Sequence, residues 1–424
     1  MILFSRWPVG LWIIVLNLFF FYPANAVPVC SASDSSKLPM GIWRAEIIRP
    51  DGNRIAFNFQ TRQIAGKIII HIINGAERLL VDNIRQRGDS LFIDMPFFDS
   101  HFALRISEQQ KLEGSYIRNY GTRIAVTRFE AGFNNPERFP VTKPPVFNIS
   151  GRWAVHFKGA NDSTEAVGEF KQSGSQVRGT FLTITGDYRF LDGVVSGDTL
   201  KLSTFDGGHA YSFVCKIVDT NKMAEGFYYA GAVSVETWTG EKNEQAKLPD
   251  EYSQTHLKDS ANAFLHFRFP DLDNHLVSIS DPDFKNKVVI VQLLGSWCPN
   301  CMDETRFLSA WYLQNKTRGV RIIGLAYERT SSFADARRLL QPFITRFNVT
   351  YPILATGVAI SDTLRSEKTI PEIESIVGFP TTIFIDKKGM VRKIHTGFNG
   401  PGTGEHYEVY KKEFDRLVSG LLTE

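Results

Sequence analysis

Between residues 38 and 242 apolar and polar positions alternate in short runs. Trp153-Ala154-Val155-His156-Phe157, Val177-Arg178-Gly179-Thr180-Phe181 and Thr199-Leu200-Lys201-Leu202 each place alternate side chains on one face, the period of a half-buried strand. Gly, Asp and Asn stand between the runs, where turns require them. The pattern predicts up-and-down antiparallel β structure, either a small barrel or a curved sheet. Past residue 262 the period changes. Residues 288–294 are almost continuously apolar, as in a central strand buried on both faces. Phe307, Leu308, Trp311 and Tyr312 form a helical stripe, and residues 321–326 read as a second buried strand. Phe333, Leu339, Leu340 and Phe343 predict a helix bent or interrupted at Pro342. Residues 381–385 and 390–394 flank Asp386-Lys387-Lys388-Gly389 as a hairpin. Tyr407, Tyr410, Phe414, Leu417 and Leu421 give a closing amphipathic helix, and residues 357–376 read as an insertion. Alternating strands and helices predict an α/β sheet for this part.

The β-rich part reads as two tandem repeats. Gly41-Ile42-Trp43, Gly88-Asp89-Ser90-Leu91 and Glu113-Gly114-Ser115-Tyr116 recur in the same order about 110 residues later. The later copies are Gly151-Arg152-Trp153, Gly197-Asp198-Thr199-Leu200 and Glu225-Gly226-Phe227-Tyr228. Polar, Pro-bearing residues 134–148 and the Glu/Lys/Gln/Ser-rich residues 241–260 offer boundaries. The expected divisions are a leader at 1–26, β-rich repeats at 38–132 and 148–242, and the α/β domain at 262–424. The Gly-x-Trp openings and strand meanders resemble lipocalin- and avidin-type barrels. Such units would dock a partner protein, bind a small ligand at a barrel mouth, or serve as spacers. They show no titratable cluster that demands catalysis; His101 and His209 read as lone structural or surface histidines.

The candidate chemistry lies in Gly295-Ser296-Trp297-Cys298-Pro299-Asn300-Cys301. Two cysteines three positions apart sit where a strand hands over to a helix. The helix N-terminus offers unpaired N–H groups and a positive dipole end, both of which favour the thiolate that carries out disulfide exchange. A zinc site would need further Cys or His ligands, and a purely structural disulfide is the other alternative. Cys30 and Cys215 are isolated in sequence, and no histidine follows within the next turns. No metal or other cofactor is expected.

With Gly378-Phe379-Pro380-Thr381 downstream, the dithiol resembles that of the thioredoxin superfamily. The resemblance implies a thioredoxin fold, with Pro380 in cis beside the dithiol and the Phe379 backbone pairing with an extended substrate. Trp-Cys-Pro-x-Cys-x-x-Glu, together with Phe267-Arg268-Phe269-Pro270-Asp271-Leu272 and Val277-Ser278-Ile279, is similar to the TlpA/ResA-type extracytoplasmic thiol-disulfide oxidoreductases. That implies a redox disulfide between Cys298 and Cys301, catalytic roles for both, and a proton acceptor in Glu304. The alternative for Glu304 is an acidic residue decorating a first helical turn. Trp297, Pro299 and Phe379 are the expected substrate-binding residues. This family usually carries Pro after the Glu, where Thr305 stands here. Peroxiredoxins share the fold, but their motif puts Pro and Thr ahead of a single key cysteine, whereas Leu294, Gly295, Ser296 and Trp297 precede Cys298 here. The resemblance covers residues 262–424 and implies protein disulfide substrates, apocytochromes among them in cytochrome c maturation, and a membrane thiol-disulfide reductase as electron donor. Oxidase or isomerase activity, and a ligand-binding role for the β-repeats, are the rival readings.

Arg6, the apolar stretch from Trp7 to Tyr22 and Ala24-Asn25-Ala26 describe a secretory leader cleaved after Ala26, so an exported protein of the periplasm or cell envelope is expected. An uncleaved anchor is the alternative. In an oxidising compartment Cys30 and Cys215 could pair, or Cys215 could be a small buried strand residue. Net charge is +3, with 48 Lys and Arg against 45 Asp and Glu, and no dense basic run suggests a nucleic-acid partner.

Overall fold

The computed structural model describes residues 37–424 except Thr122. The expected leader at 1–26 and Cys30, and with it the alternative of a Cys30–Cys215 bond, lie outside the described residues. Among the described residues no helix is long and apolar enough to cross a membrane.

The first nine strands, from Gly41–Ile48 to Ile124–Phe133, form one antiparallel sheet. Its first and last strands pair, with Trp43 opposite Phe133, and its edges are Glu77–Val81 and Asn83–Arg87. It is therefore a strongly curved sheet that stays open between two strands adjacent in sequence. The second unit closes. Gly151–Lys158 pairs with both Ser163–Ser173 and Ser234–Lys242, and Gln176–Thr183 pairs with both Ser163–Ser173 and Leu191–Ser196, completing a ring of eight strands. The alternation seen in sequence becomes inside and outside. Trp43, Trp153, Phe157, Phe181, Phe213 and Trp238 are all buried, and Trp153 Nε1 donates to Ile149 O at 2.9 Å. Aromatic rings fill the barrel interior, with Phe213 stacked on Tyr228 at 4.5 Å, so open space is left only at the mouth.

The α/β domain has elements labelled here β1 (Val288–Leu294), α1 (Pro299–Asn315), β2 (Val320–Ala326), α2 (Phe333–Phe347), β3 (Ile353–Ala355), α3 (Arg365–Thr369), β4 (Thr381–Ile385), β5 (Val391–Thr396) and α4 (Glu405–Thr423). The sheet order is β3-β2-β1-β4-β5, with β1, β2 and β3 parallel and β4 and β5 antiparallel to their neighbours. Every residue of β1 is buried, Gln292 included, as its almost continuous apolar run requires. One expectation is corrected. α2 runs unbroken through Pro342, capped by the Ser332 side chain and ended by Asn348 in the left-handed region. Its apolar face, with Leu340 and Phe343 buried, holds it in place despite the missing N–H.

The two polar boundary stretches are structural bridges. Arg138 is buried, donating to Asn58 Oδ1 at 3.2 Å in the curved sheet and to Ser203 O at 2.8 Å in the barrel, and also to Ile73 O. In the second stretch Glu251 accepts from Asn399 at 2.7 Å and contacts His395 at 3.2 Å. Phe205 of the barrel inserts into the core of the curved sheet, 4.3 Å from Phe57. Phe97 of the curved sheet stacks on Phe347 of α2 at 5.2 Å.

Candidate active site

β1 ends at Leu294, and Gly295–Trp297 carry the chain to Cys298, the N-cap of α1. Pro299 occupies the first turn, where its missing N–H is no loss. Cys298 and Cys301 form a disulfide with Cα atoms 5.2 Å apart. Cys298 Sγ accepts the Cys301 N–H at 3.1 Å, the helix-end donation that favours a thiolate once the bond is reduced. Both cysteines are buried. The Phe379–Pro380 bond is cis, and Phe379 O lies 3.6 Å from Cys298 Sγ. Trp297 donates from Nε1 to Tyr327 O at 2.8 Å and meets the Phe379 ring edge-on at 5.7 Å. The preceding turn is pinned by Glu328, which accepts from Ser296 N at 2.8 Å and Ser296 Oγ at 2.7 Å.

Glu304 lies one turn after Cys301 on α1, fully buried. It accepts from Gln292 at 2.7 Å, Thr382 at 2.6 Å and Tyr410 at 3.2 Å. Burial raises its pKa above the ordinary carboxylate range, opposed by the hydrogen bonds from Thr382 and Gln292. A carboxyl that holds its proton more readily than usual, one turn from the dithiol, suits proton exchange with a thiol rather than a first-turn decoration.

The barrel reaches the dithiol, an arrangement that sequence reasoning missed. Its residues 183–189 form the rim against the cis-proline loop. Asn300 Nδ2 contacts Thr185 O at 3.5 Å, and a Cβ on Gly186 would stand 1.9 Å from Asn300 Nδ2. A Cβ on Gly378 would meet the Thr185 side chain at 2.4 Å. Between rim and dithiol remains a cavity of about 230 Å³, lined by Thr185, Tyr188, His209, Tyr228, Cys298 and Phe379 among others. Trp297 and Pro299 also line it, so the predicted substrate residues converge there.

Beside the cavity lies a buried charge cluster shared between the β-units and α1, which sequence reasoning did not find. Arg189 of the barrel pairs with Glu77 of the curved sheet, with Asp206 at 3.7 Å, and with Asp303 of α1 at 3.3 Å. All four side chains are nearly inaccessible. Burial pulls the Arg189 pKa down, but Asp303, Glu77 and Asp206 outweigh it and raise its pKa. Asp206 is pushed up by burial yet held at about 2 by His209 and Arg189. Asp187 accepts from Arg189 N at 2.5 Å and Gly400 N at 2.7 Å; burial and the neighbouring Asp303 push it up to about 7. His209 is likewise no lone histidine: it is buried, 3.1 Å from Asp206 and 3.4 Å from Arg118. The members come from three units far apart in sequence. Glu77, Arg189 and Asp206 lie at or beside strand ends and Asp303 in the first turns of α1, positions whose spacing carries no signal of a shared cluster. His101, by contrast, takes no part in the cluster. Cys215 is buried in the barrel wall with no disulfide partner among the described residues, and burial raises its pKa.

A dithiol capping the first helix after a central strand, opposite a cis-proline loop, defines a thioredoxin-like disulfide-exchange site. The family model for Redoxin matches residues 259–411. Thiol-disulfide oxidoreductase ResA of Geobacillus kaustophilus is 27% identical over 131 residues, 31% of this chain and 66% of that protein. ResA of Bacillus thuringiensis subsp. konkukian is 28% identical over 148 residues, 35% of this chain and 74% of that protein. A thiol:disulfide interchange protein of Chlorobium tepidum covers 38% of this chain and 95% of its own, at 22% identity and a TM-score of 0.28. The chain thus spans about two thirds of the first and three quarters of the second of these ResA proteins. Its C-terminal domain is a TlpA/ResA-like thiol-disulfide oxidoreductase domain.

Proposed function

We propose that this chain is an extracytoplasmic thiol-disulfide oxidoreductase that reduces disulfides of exported proteins through Cys298 and Cys301. The observation that carries the reading is the Cys298–Cys301 disulfide at the N-terminus of α1, beside the Phe379 carbonyl. The leader-like residues 1–26 support a place in the periplasm or cell envelope. In the reduced protein the Cys298 thiolate attacks a substrate cystine. A bond forms between Cys298 and one substrate sulfur, and the other sulfur leaves as a thiolate. Cys301, its proton taken by Glu304 or water, then attacks Cys298 and expels the second substrate thiolate. Two electrons have passed to the substrate, and Cys298–Cys301 is left oxidised. A membrane thiol-disulfide reductase, implied by the family resemblance, resets it. Trp297, Pro299, Phe379 and Pro380 hold the substrate segment in this scheme.

The divisions at 38–132, 148–242 and 262–424, and the descent of both β-units from one repeat, belong to the same proposal. Because the barrel rim borders the dithiol cavity, the β-units select what reaches Cys298, favouring an extended segment over a broad folded surface. Cytochrome c maturation is one setting that fits such a substrate.

Cys301→Ser should accumulate mixed disulfides through Cys298, visible on non-reducing gels, and Cys298→Ser should give neither adducts nor turnover. Absence of adducts in Cys301→Ser would count against the scheme. Direction is read from the couple's potential: a value near about −270 mV sets reduction, and one near about −120 mV reverses the flow.

A further inference from the structure

A second cleft, of about 460 Å³, opens on the other side of Trp297, between the curved sheet and the α/β domain. Its volume is that of a small-ligand pocket. Three arginines and three acids line it, but they are not evenly matched. Arg338 contacts Asp99 at 3.1 Å and Asp335 at 3.9 Å. Glu328 spends both oxygens on Ser296. Arg118 and Arg329 are left without a carboxylate within ion-pair distance among the described residues.

Arg118 is 5% exposed, and its Nε has no hydrogen-bond partner. Its Nη2 lies 3.4 Å from His209 Nε2. His209 turns its Nδ1 to Asp206, which leaves Nε2 as a neutral acceptor, and burial lowers the pKa of the ring. Arg118 and Arg329 stack on the same ring, Tyr120, at 4.5 and 5.1 Å. Two guanidinium groups are thus gathered in a half-enclosed space with no carboxylate in ion-pair contact with either among the described residues. That arrangement is unfavourable alone and is relieved by a bound anion. Arg329 also lies 5.6 Å over Trp297, the residue before Cys298, and Trp297 lines both this cleft and the dithiol cavity.

We infer that this cleft binds a carboxylate of the disulfide substrate, and so selects substrates with a negative charge close to the reacting cystine. The inference rests on the oxidoreductase reading for the word substrate, while the anion site stands on its own geometry. The carboxylate belongs either to the terminus of a small peptide disulfide or to an acidic side chain beside a polypeptide cysteine.

The test titrates the full oxidised protein, in which no free thiol can exchange at the dithiol, with oxidised glutathione and with cystine-linked peptides bearing Asp or Asn beside Cys. Arg329→Gln should weaken binding of the carboxylate probe about tenfold, and Arg329→Lys should keep most of it. Arg118→Gln should abolish it, with thermal unfolding confirming the fold. Binding of glutathione assigns the site to small peptide disulfides; binding of the Asp peptide alone assigns it to polypeptide side chains. Binding of neither, or equal binding to wild type and Arg329→Gln, overturns the site. Turnover of neutral bis(2-hydroxyethyl) disulfide by the reduced protein is scored separately. Its failure would strike the oxidoreductase reading and leave the binding result standing.

Discussion

Asp187 is a sharp probe of how the barrel rim is coupled to the redox domain. Its two oxygens accept from backbone N–H groups of different units, Arg189 in the barrel and Gly400 beyond β5, and it borders the dithiol cavity. Burial pushes its pKa up to about 7 from an ordinary 3.8. A carboxyl with a raised folded pKa keeps its proton in the native state where the unfolded chain has already lost it. Stability therefore falls as pH rises from about 4 to about 7, by ~1.4 kcal/mol per unit and ~4 kcal/mol across the window. Asp187→Asn removes the titration. It also turns an amide NH₂ towards one of the two N–H donors, at a cost of about 1–3 kcal/mol at every pH. The variant should thus be less stable than wild type near pH 4 and more stable by about 1–3 kcal/mol near pH 8. Urea unfolding at pH 4, 6 and 8 measures both curves, and contributions from distant buried acids cancel in the difference. Parallel curves with no crossing would refute the assignment of a buried, neutral-range carboxyl to this position.

Two further outcomes follow from the same interior. Arg189→Met leaves Glu77, Asp206 and Asp303 buried without their shared cation, so urea unfolding at pH 7 should show a loss of about 3–5 kcal/mol; a loss under about 1 kcal/mol would mean the cluster is not the clasp between units. Glu304→Gln should slow turnover about 100-fold, with mixed disulfide accumulating. Its cost in stability should shrink as pH rises to 8, because a carboxyl with a raised pKa is destabilising once ionised and the amide is not. Unchanged release of the mixed disulfide would remove Glu304 from the proton path.

The redox site was legible because its parts are local. Cys298 and Cys301 share one helical turn, Glu304 lies on the next, and each acquires its setting from the strand-to-helix step around it. Pro380 lies 79 residues further on, but the β-branched strand behind it marked it. Pro342 misled for the opposite reason: local propensity argues for a break, and the packing of Leu340 and Phe343 overrides it. The boundary residues 134–148 and 241–260 read as linkers by composition, but Arg138 and Glu251 spend their polar atoms as ties between units.

The sequence by itself determined the period-2 strands, the buried β1 run, the dithiol at a helix start and the thioredoxin-like order of the last domain. The first three depend on contacts between residues a few positions apart, so spacing carries them; the thioredoxin-like order came from the resemblance borne by the dithiol and Gly378-Phe379-Pro380-Thr381. Tertiary structure decided that one β-unit closes while the other stays open, and that the barrel rim sits over Cys298. It also gathered Glu77, Arg189, Asp206 and Asp303 into one buried cluster and left Arg118 and Arg329 unpaired beside Trp297. Those features arise where three units pack together. The strength of a charge there is set by desolvation and by partners up to 226 residues away, quantities to which no local pattern responds.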